Sequence, residues 1–175
     1  MKTMQYIFTC CSLSVLLFSC DSFLDENPKG VLSNEQLNTP ENVEKMVIAA
    51  YSSLGNDHYT EPNSPWPYGD LRSGDAYKGG AGTGDLQEFH FYETFTYLRD
   101  DIGLLDSKWY KEYVAISRAN NALARLNAID EADFSKKMIR IAEMRFLRAH
   151  YYFELKLLFK QIPFIDETVP VEEYI

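Results

Sequence analysis

Two stripes of hydrophobic residues run along the segment 138–163, and each has the three- or four-residue spacing of a helical face. The first stripe consists of Ile139, Ala142, Phe146, Ala149 and Phe153. The second stripe consists of Met144, Leu147, Tyr151, Leu155 and Leu158. A helix with two apolar faces needs neighbours on both sides, so we expect this helix to organise the fold. Pro163 disfavours helical geometry at Ile162 and is predicted to end the helix.

A second helix is predicted over 39–54. Thr39 supplies a capping hydroxyl, and Pro40 occupies the first helical position, where its missing N–H costs nothing. One apolar stripe continues from there to Leu54, and Gly55 ends the helix. This pattern is typical of an amphipathic helix with a single buried face.

A third helix is predicted to begin at Asp106 or Ser107, either of which can cap it. Its apolar face consists of Trp109, Tyr113, Ile116, Asn120, Leu123 and Leu126. Trp109 is in phase with this face, which favours a packing role for its ring. A short acidic turn over 130–135 joins this helix to the one over 138–163. Two long helices joined by a short turn predict an antiparallel hairpin.

Polar residues on this hairpin pose two questions. Asn120 interrupts an apolar stripe, so it is either a buried amide bonded to a neighbouring segment or, with Asn121, a surface amide on a tolerant helix. Both readings stay open. Arg118 and Glu143 lie on the two arms of the hairpin, and we hypothesise a partly buried ion pair between them.

The stretch 56–105 keeps neither a helical nor a strand period for more than a few residues. Pro62, Pro65 and Pro67 interrupt it first, and most of the chain's nine glycines follow. Loops of this length within a compact domain are usually either functional or disordered. Because the stretch is rich in aromatic residues, which is untypical of disorder, we predict an ordered excursion laid over a helical scaffold.

This excursion has the composition that carbohydrate binding requires, which is flat apolar rings beside carboxylates and amides. The candidate ligand-binding residues are Trp66, Tyr68, Asp70, Asp75 and Tyr77. The alternative is that the aromatic rings pack the excursion onto the helices.

No metal site, cofactor or catalytic residue is predicted. Asp70, Asp75 and Asp85 have oxygen ligands of the kind that calcium prefers, but their spacing matches no twelve-residue calcium loop. Solvated loop acids are the preferred interpretation. The histidines form no zinc motif, and the glycines over 79–84 lack the Gly-Lys-Ser/Thr that completes a phosphate-binding loop.

The amino terminus has the pattern of a secreted lipoprotein. Lys2 precedes an apolar run, 6–18, that is too short to span a membrane and is typical of a signal peptide. The residues Leu17-Phe18-Ser19-Cys20 resemble the bacterial lipobox, which implies lipidation of Cys20. Attached acyl chains would hold the protein at a membrane surface. We expect a signal peptide at 1–19, an acidic tether at 20–38 and a helical domain at 39–175.

Composition and charge narrow the function classes. The chain has 175 residues, with 46% hydrophobic and 25% charged residues, which is the balance of a globular protein. Its net charge of −9 and its lack of a clustered basic patch argue against nucleic-acid binding. The three cysteines all lie within the first twenty residues, so the rest of the chain has no disulfide and no thiolate metal site.

Several motifs together resemble the SusD/RagB family of outer-membrane nutrient-binding lipoproteins of Bacteroidetes. They are the lipobox, the LRSGDAYKGG loop over 71–80, Trp109-Tyr110 with Tyr113, the ISRANN stretch over 116–121, and Glu143-x-Arg145-Phe146-Leu147-Arg148-Ala149-x-Tyr151-Tyr152-Phe153. The resemblance extends from Cys20 to Pro163. Family members are much longer. We therefore expect this chain to be the N-terminal portion of such a protein and its helical domain to be incomplete.

The resemblance implies an all-α fold of tetratricopeptide-like helix pairs, with irregular loops that carry a glycan-binding surface. It implies a non-catalytic protein that caps a SusC-like TonB-dependent transporter and passes oligosaccharide to it. Asp21, Asp25 and Glu26 are similar to the signal that sends such lipoproteins to the cell surface, so we expect an outward-facing protein anchored in the outer membrane.

Two other functions compete with glycan uptake. A helical-repeat lipoprotein of the envelope would act as a protein–protein scaffold and bind no sugar. A glycoside hydrolase would need two carboxylates across a cleft, a separation that a sequence does not measure.

Overall fold

The computed structural model describes residues 30, 33–55, 58, 62–96, 103–170 and 173. Contacts divide the chain into two units, Met1–Ser33 and Asn34–Ile175, and the architecture below belongs to the second. Its helices are α1 (Asn34–Leu37), α2 (Pro40–Tyr51, followed by a 3-10 turn, Ser52–Gly55), α3 (Asp70–Ser73), α4 (Gln87–Thr94), α5 (Gly103–Ala128) and α6 (Lys137–Phe159). All regular secondary structure in the described residues is helical, which confirms the all-α prediction.

The core of the molecule lies between α5 and α6, which form the predicted hairpin, and α2 packs against both of them. Small residues of α5, such as Ala115, Ala119 and Ala122, are fully buried and let the helices approach closely. Larger buried side chains of the same core are Val43, Val47, Ile116, Leu123, Leu126, Met144, Leu147, Tyr151 and Leu155. The Tyr151 hydroxyl donates to the Ala50 carbonyl at 2.9 Å, so it joins α6 to the end of α2.

Helix α2 begins as its sequence predicts. Thr39 has extended backbone angles, and its hydroxyl accepts a hydrogen bond from the Asn42 amide at 3.3 Å, while Pro40 is the first helical residue. Helix α5 begins at Gly103, ahead of the predicted cap at Asp106 or Ser107. There the Leu104 amide donates to Glu88 Oε1 at 2.7 Å, so a distant side chain caps the helix.

Helix α6 buries only one of its two apolar stripes. The stripe that includes Met144, Leu147 and Leu155 lies in the core, but Phe146 is 73% exposed and Phe153 is 59% exposed. The prediction that both faces have neighbours is therefore not met within the described residues. The helix also ends at Phe159 rather than near Ile162, because Lys160 has a positive φ of 59° that ends the helical geometry.

The excursion is ordered over its described part, residues 62–96, and it contains the short helices α3 and α4 that the sequence pattern did not predict. It has a small core of its own, made of Tyr68, Leu71, Phe89, Tyr92 and Leu104, with Leu158 of α6 packed against it. The prediction of an ordered excursion over a helical scaffold is confirmed for these residues.

Candidate functional site

Two of the candidate ligand-binding residues hold the excursion in place. The Tyr68 ring is buried, its hydroxyl donates to the Leu104 carbonyl at 2.9 Å, and it meets the Tyr92 ring edge to face at 5.9 Å. The half-buried Trp66 ring meets Phe89 edge to face at 5.3 Å. These contacts favour the packing alternative for Trp66 and Tyr68.

The other three candidates are exposed on the excursion. Tyr77 is 86% exposed, and both Asp70 and Asp75 are exposed as well. Ser73 donates a 2.6 Å hydrogen bond from its hydroxyl to Asp75 Oδ2, which orients that carboxylate after α3. The Tyr77 ring and the Asp75 carboxylate, which are two residues apart in the sequence, are therefore both exposed at this surface.

Phe95 is a further exposed aromatic residue, at the end of α4. Its backbone is left-handed (φ 57°, ψ 30°), the conformation that glycine normally supplies at a helix end and that costs other residues roughly 1–2 kcal/mol. The ring is 57% exposed, so core packing does not compensate for this cost. The Arg72 guanidinium lies 5.0 Å from the ring centroid, in a cation–π arrangement.

A hydrogen bond brings the segment around Tyr77 to the end of α4. The Lys78 amide donates to Glu93 Oε2 at 3.4 Å, and Phe95 follows Glu93 closely along the chain. We name the surface formed by Arg72, Asp75, Tyr77 and Phe95 the aromatic rim. Sequence reasoning did not single out Arg72 or Phe95, because their pairing depends on a helix end that no local pattern marked.

The glycine-rich stretch beside the rim is a closed turn. Asp85 Oδ2 accepts a hydrogen bond from the Ala81 amide at 3.0 Å. A Cβ on Gly80 would lie 2.3 Å from the same oxygen, and Gly80 has a φ of 77°, so only glycine fits there. Lys78 Nζ donates to the Gly82 carbonyl at 2.8 Å. Asp85 is thus a turn residue, and no cluster of three or more potential metal ligands occurs in the described part of the chain.

The hypothesised ion pair between Arg118 and Glu143 needs correction. Arg118 Nη1 donates to the Ser53 hydroxyl at 3.0 Å, whereas Glu143 pairs with Arg140 at 2.7 Å on its own helix. Arg140 of α6 also pairs with Glu44 of α2, so this ion pair crosses between helices. Hydrogen bonding to Glu44 raises the pKa of Arg140. Arg118 reaches the end of α2 rather than α6, so its helix partner differs from the predicted one.

Asn120 is a buried amide, which decides between the two readings of this residue. Its Nδ2 donates to the Ile165 carbonyl at 2.9 Å, and its Oδ1 accepts from Arg148 Nη1 at 2.8 Å. Arg148 also pairs with Glu167. These bonds attach the segment after α6 to the hairpin, whereas the neighbouring Asn121 is exposed.

A buried group of charges lies where the excursion meets the hairpin, and sequence reasoning missed it. Lys108 and Glu112 are each 1% exposed and pair at 2.7 Å, while Glu154 of α6 lies 3.3 Å from the same ammonium. Burial raises the pKa of the Glu112 carboxyl, and the nearby Lys108 opposes this rise. A Lys and a Glu four residues apart normally indicate a solvated helix face. Here the excursion covers them, and Lys108 donates to the Asn63 carbonyl.

A SusD-like family model, described as starch-binding and associating with the outer membrane, matches residues 22–174. The chain belongs to this SusD-like family. SusD-like protein P2 of Formosa agariphila is 31% identical over 168 residues, which cover 94% of this chain and 32% of that protein. SusD-like protein P25 of the same organism is 25% identical over 178 residues, which cover 95% of this chain and 31% of that protein.

This SusD-like chain therefore spans about a third of the length of the curated relatives that it matches. The family description is of starch-binding proteins that associate with the outer membrane. None of the helices in the described residues is both long and apolar enough to cross a membrane. Cys20, with the predicted signal peptide and tether residues up to Lys29, lies outside the described residues.

Proposed function

We propose that this SusD-like chain is part of a cell-surface lipoprotein that binds glycans without catalysis and works with a SusC-like TonB-dependent transporter in oligosaccharide uptake. In this proposal, lipid attached to Cys20 anchors the protein in the outer membrane, facing the cell exterior. The starch-binding description of the family supports the ligand class. The lipobox-like residues before Cys20 support the anchor.

The observation that carries the proposal is the aromatic rim. Sugar rings stack on exposed aromatic faces, and their hydroxyls bond to neighbouring carboxylates and guanidinium groups. Tyr77 and Phe95 offer the rings, Asp75 offers an acceptor, and Arg72 offers donors. The cost of placing Phe95 in a left-handed conformation on an exposed surface is typical of a functional position.

Isothermal titration of the full chain against a panel of starch-derived and other oligosaccharides tests the ligand. We expect Tyr77→Ala and Phe95→Ala each to weaken binding roughly tenfold, which corresponds to about 1.4 kcal/mol. Tyr110→Ala is the matched control, because Tyr110 is 70% exposed but lies on α5, outside the excursion. Equal affinities for the wild type and both rim variants would exclude the rim as the glycan site.

The anchor and the transporter need separate measurements. Cys20→Ala should move the protein from the membrane fraction to the soluble fraction, because the acylated thiol is lost. A tagged wild-type protein should co-purify with a TonB-dependent transporter from outer membranes. Retention of the Cys20→Ala variant in the membrane fraction would contradict lipid anchoring.

A protein–protein scaffold is the second candidate function. The exposed apolar stripe of α6 favours it, because contiguous exposed apolar surface marks interaction sites. Absence of binding to every oligosaccharide, together with retained co-purification of a transporter, would favour the scaffold over the glycan-binding protein.

A further inference from the structure

A concave site that none of the rim residues lines lies between the start of the excursion and the α5–α6 hairpin. It is a cavity of about 180 Å³, and its walls include Leu54, Pro65, Glu112, His150, Tyr151 and Glu154. The Tyr151 hydroxyl is occupied by the Ala50 carbonyl, so this residue adds chiefly apolar surface. The cavity thus combines apolar walls with one buried carboxylate, Glu112, and one partly buried carboxylate, Glu154.

The hydrogen bonds of Lys108 leave one acceptor in this cavity unused. Its ammonium has three N–H donors, and it contacts three oxygens, Glu112 Oε1 at 2.7 Å, Glu154 Oε2 at 3.3 Å and the Asn63 carbonyl. Glu112 Oε2 is buried and has no hydrogen-bond partner among the described residues. A buried carboxylate oxygen without a donor is unfavourable, and a ligand that donates to it would remove that cost.

We propose that this cavity binds one hydroxyl-rich sugar ring, held by a hydrogen bond from a ligand hydroxyl to Glu112 Oε2. The inference rests on the proposed glycan-binding function and adds a second sugar site to it. A neutral hydroxyl suits this oxygen better than a cation does, because the Lys108 ammonium already lies on the same carboxylate. Pro65 and Tyr151 supply apolar surface for the carbon face of the ring.

The size of the cavity fits this ligand. Its volume of about 180 Å³ equals that of about six liquid waters and is similar to that of one pyranose ring. A neighbouring cavity of about 160 Å³ shares Pro65 and Glu154 with it and is lined otherwise by Tyr68, Gly69, Leu157 and Leu158. An adjoining sugar unit would follow the first along the residues that the two cavities share.

Titration calorimetry of the full chain with glucose, galactose and mannose tests the site. Glu112→Gln keeps an oxygen for Lys108 but replaces the free acceptor with an amide group, so hexose binding should weaken at least tenfold. Leu54→Trp replaces a half-exposed side chain in the cavity wall with a larger aromatic one. Because the larger side chain would fill part of the cavity, hexose binding should weaken as strongly. Ile48→Trp is the matched control, since Ile48 is 60% exposed on α2 and does not line the cavity.

Several outcomes would overturn the inference. One such outcome is that oligosaccharides bind with an affinity that Tyr77→Ala lowers and that Glu112→Gln and Leu54→Trp leave unchanged. In that case the proposed function stands and the second sugar site is excluded. If no sugar binds at all, both fall. A crystal structure soaked with the best-binding hexose should show the ring beside Glu112, and ordered waters alone there would also overturn the inference. If Glu112→Gln loses the helical circular dichroism signal, the variant is unfolded and does not test the site. The Leu54→Trp variant then decides the test.

Discussion

The two apolar faces of α6 have the same helical spacing and opposite environments. Leu147 and Leu155 are buried against α5 and α2, whereas Phe146 and Phe153 are largely exposed. The difference arises because α2 and α5 lie on one side of α6, and no described element covers the other side. Helical periodicity predicts where the apolar faces are, but the arrangement of the other helices decides which face is buried.

Polar contacts at the buried side reinforce this asymmetry. Arg140 pairs with Glu44 of α2, and the Tyr151 hydroxyl donates to the Ala50 carbonyl. Both bonds orient α6 so that its Met144 face points to the core. Substitutions on each of the two faces test this contrast.

Removal of buried side chains from α6 should have the largest effect. Leu147→Ala and Leu155→Ala should each lower the free energy of unfolding by ~2–5 kcal/mol, because they remove buried methyl groups and leave a cavity. Urea denaturation followed by circular dichroism measures this. A loss below 1 kcal/mol for both variants, on the scale of surface substitutions, would mean that this face is not packed in solution.

The amide that joins the hairpin to the segment after α6 should have the next largest effect. Asn120→Ala removes the donor to the Ile165 carbonyl and leaves part of Arg148 without its acceptor, so a loss of ~1–3 kcal/mol is expected. Asn121→Ala, at the exposed neighbouring position, is the control and should change stability little. Equal losses for the two variants would argue against the buried amide.

Tyr151 should make stability depend on alkaline pH. Burial raises the pKa of its hydroxyl to about 12, whereas an unfolded tyrosine ionises near 10. The unfolded state therefore loses its proton first, so this contribution to stability is complete below pH 10 and is lost as the pH rises towards 12.

Tyr151→Phe should lower stability by about 1 kcal/mol at pH 8, because the bond to the Ala50 carbonyl is lost. The variant should then lose less stability than the wild type between pH 10 and 12. Denaturation at three pH values across this range measures the two slopes. If the free energy of unfolding fell more steeply with pH in the variant than in the wild type, the raised pKa of Tyr151 would be contradicted.

The sequence predicted the features that depend on neighbours along the chain. The Thr39 cap and the hairpin follow from spacing and local chemistry, and the structure has both. For Asn120 the sequence left a buried and a surface amide open, and the structure has the buried one. It did not predict the burial of Lys108 and Glu112, because the segment that covers them comes from the excursion. The pairing of Arg72 with Phe95 also depends on contacts distant in sequence, so no local pattern indicated it.

The exposed face of α6 should give the smallest effects on unfolding. Phe146→Ala should change the free energy of unfolding by no more than ~0.5 kcal/mol, because a side chain that is 73% exposed loses little contact when it is truncated. Leu147→Ala, at the adjacent position on the buried side, is its matched comparison. Both are measured by urea denaturation at two protein concentrations, since an apolar surface that associates would make stability depend on concentration. A cost of 2 kcal/mol or more for Phe146→Ala that grows with concentration would mean that a second copy covers this face in solution. The contrast between the two faces would then be a property of the isolated chain alone.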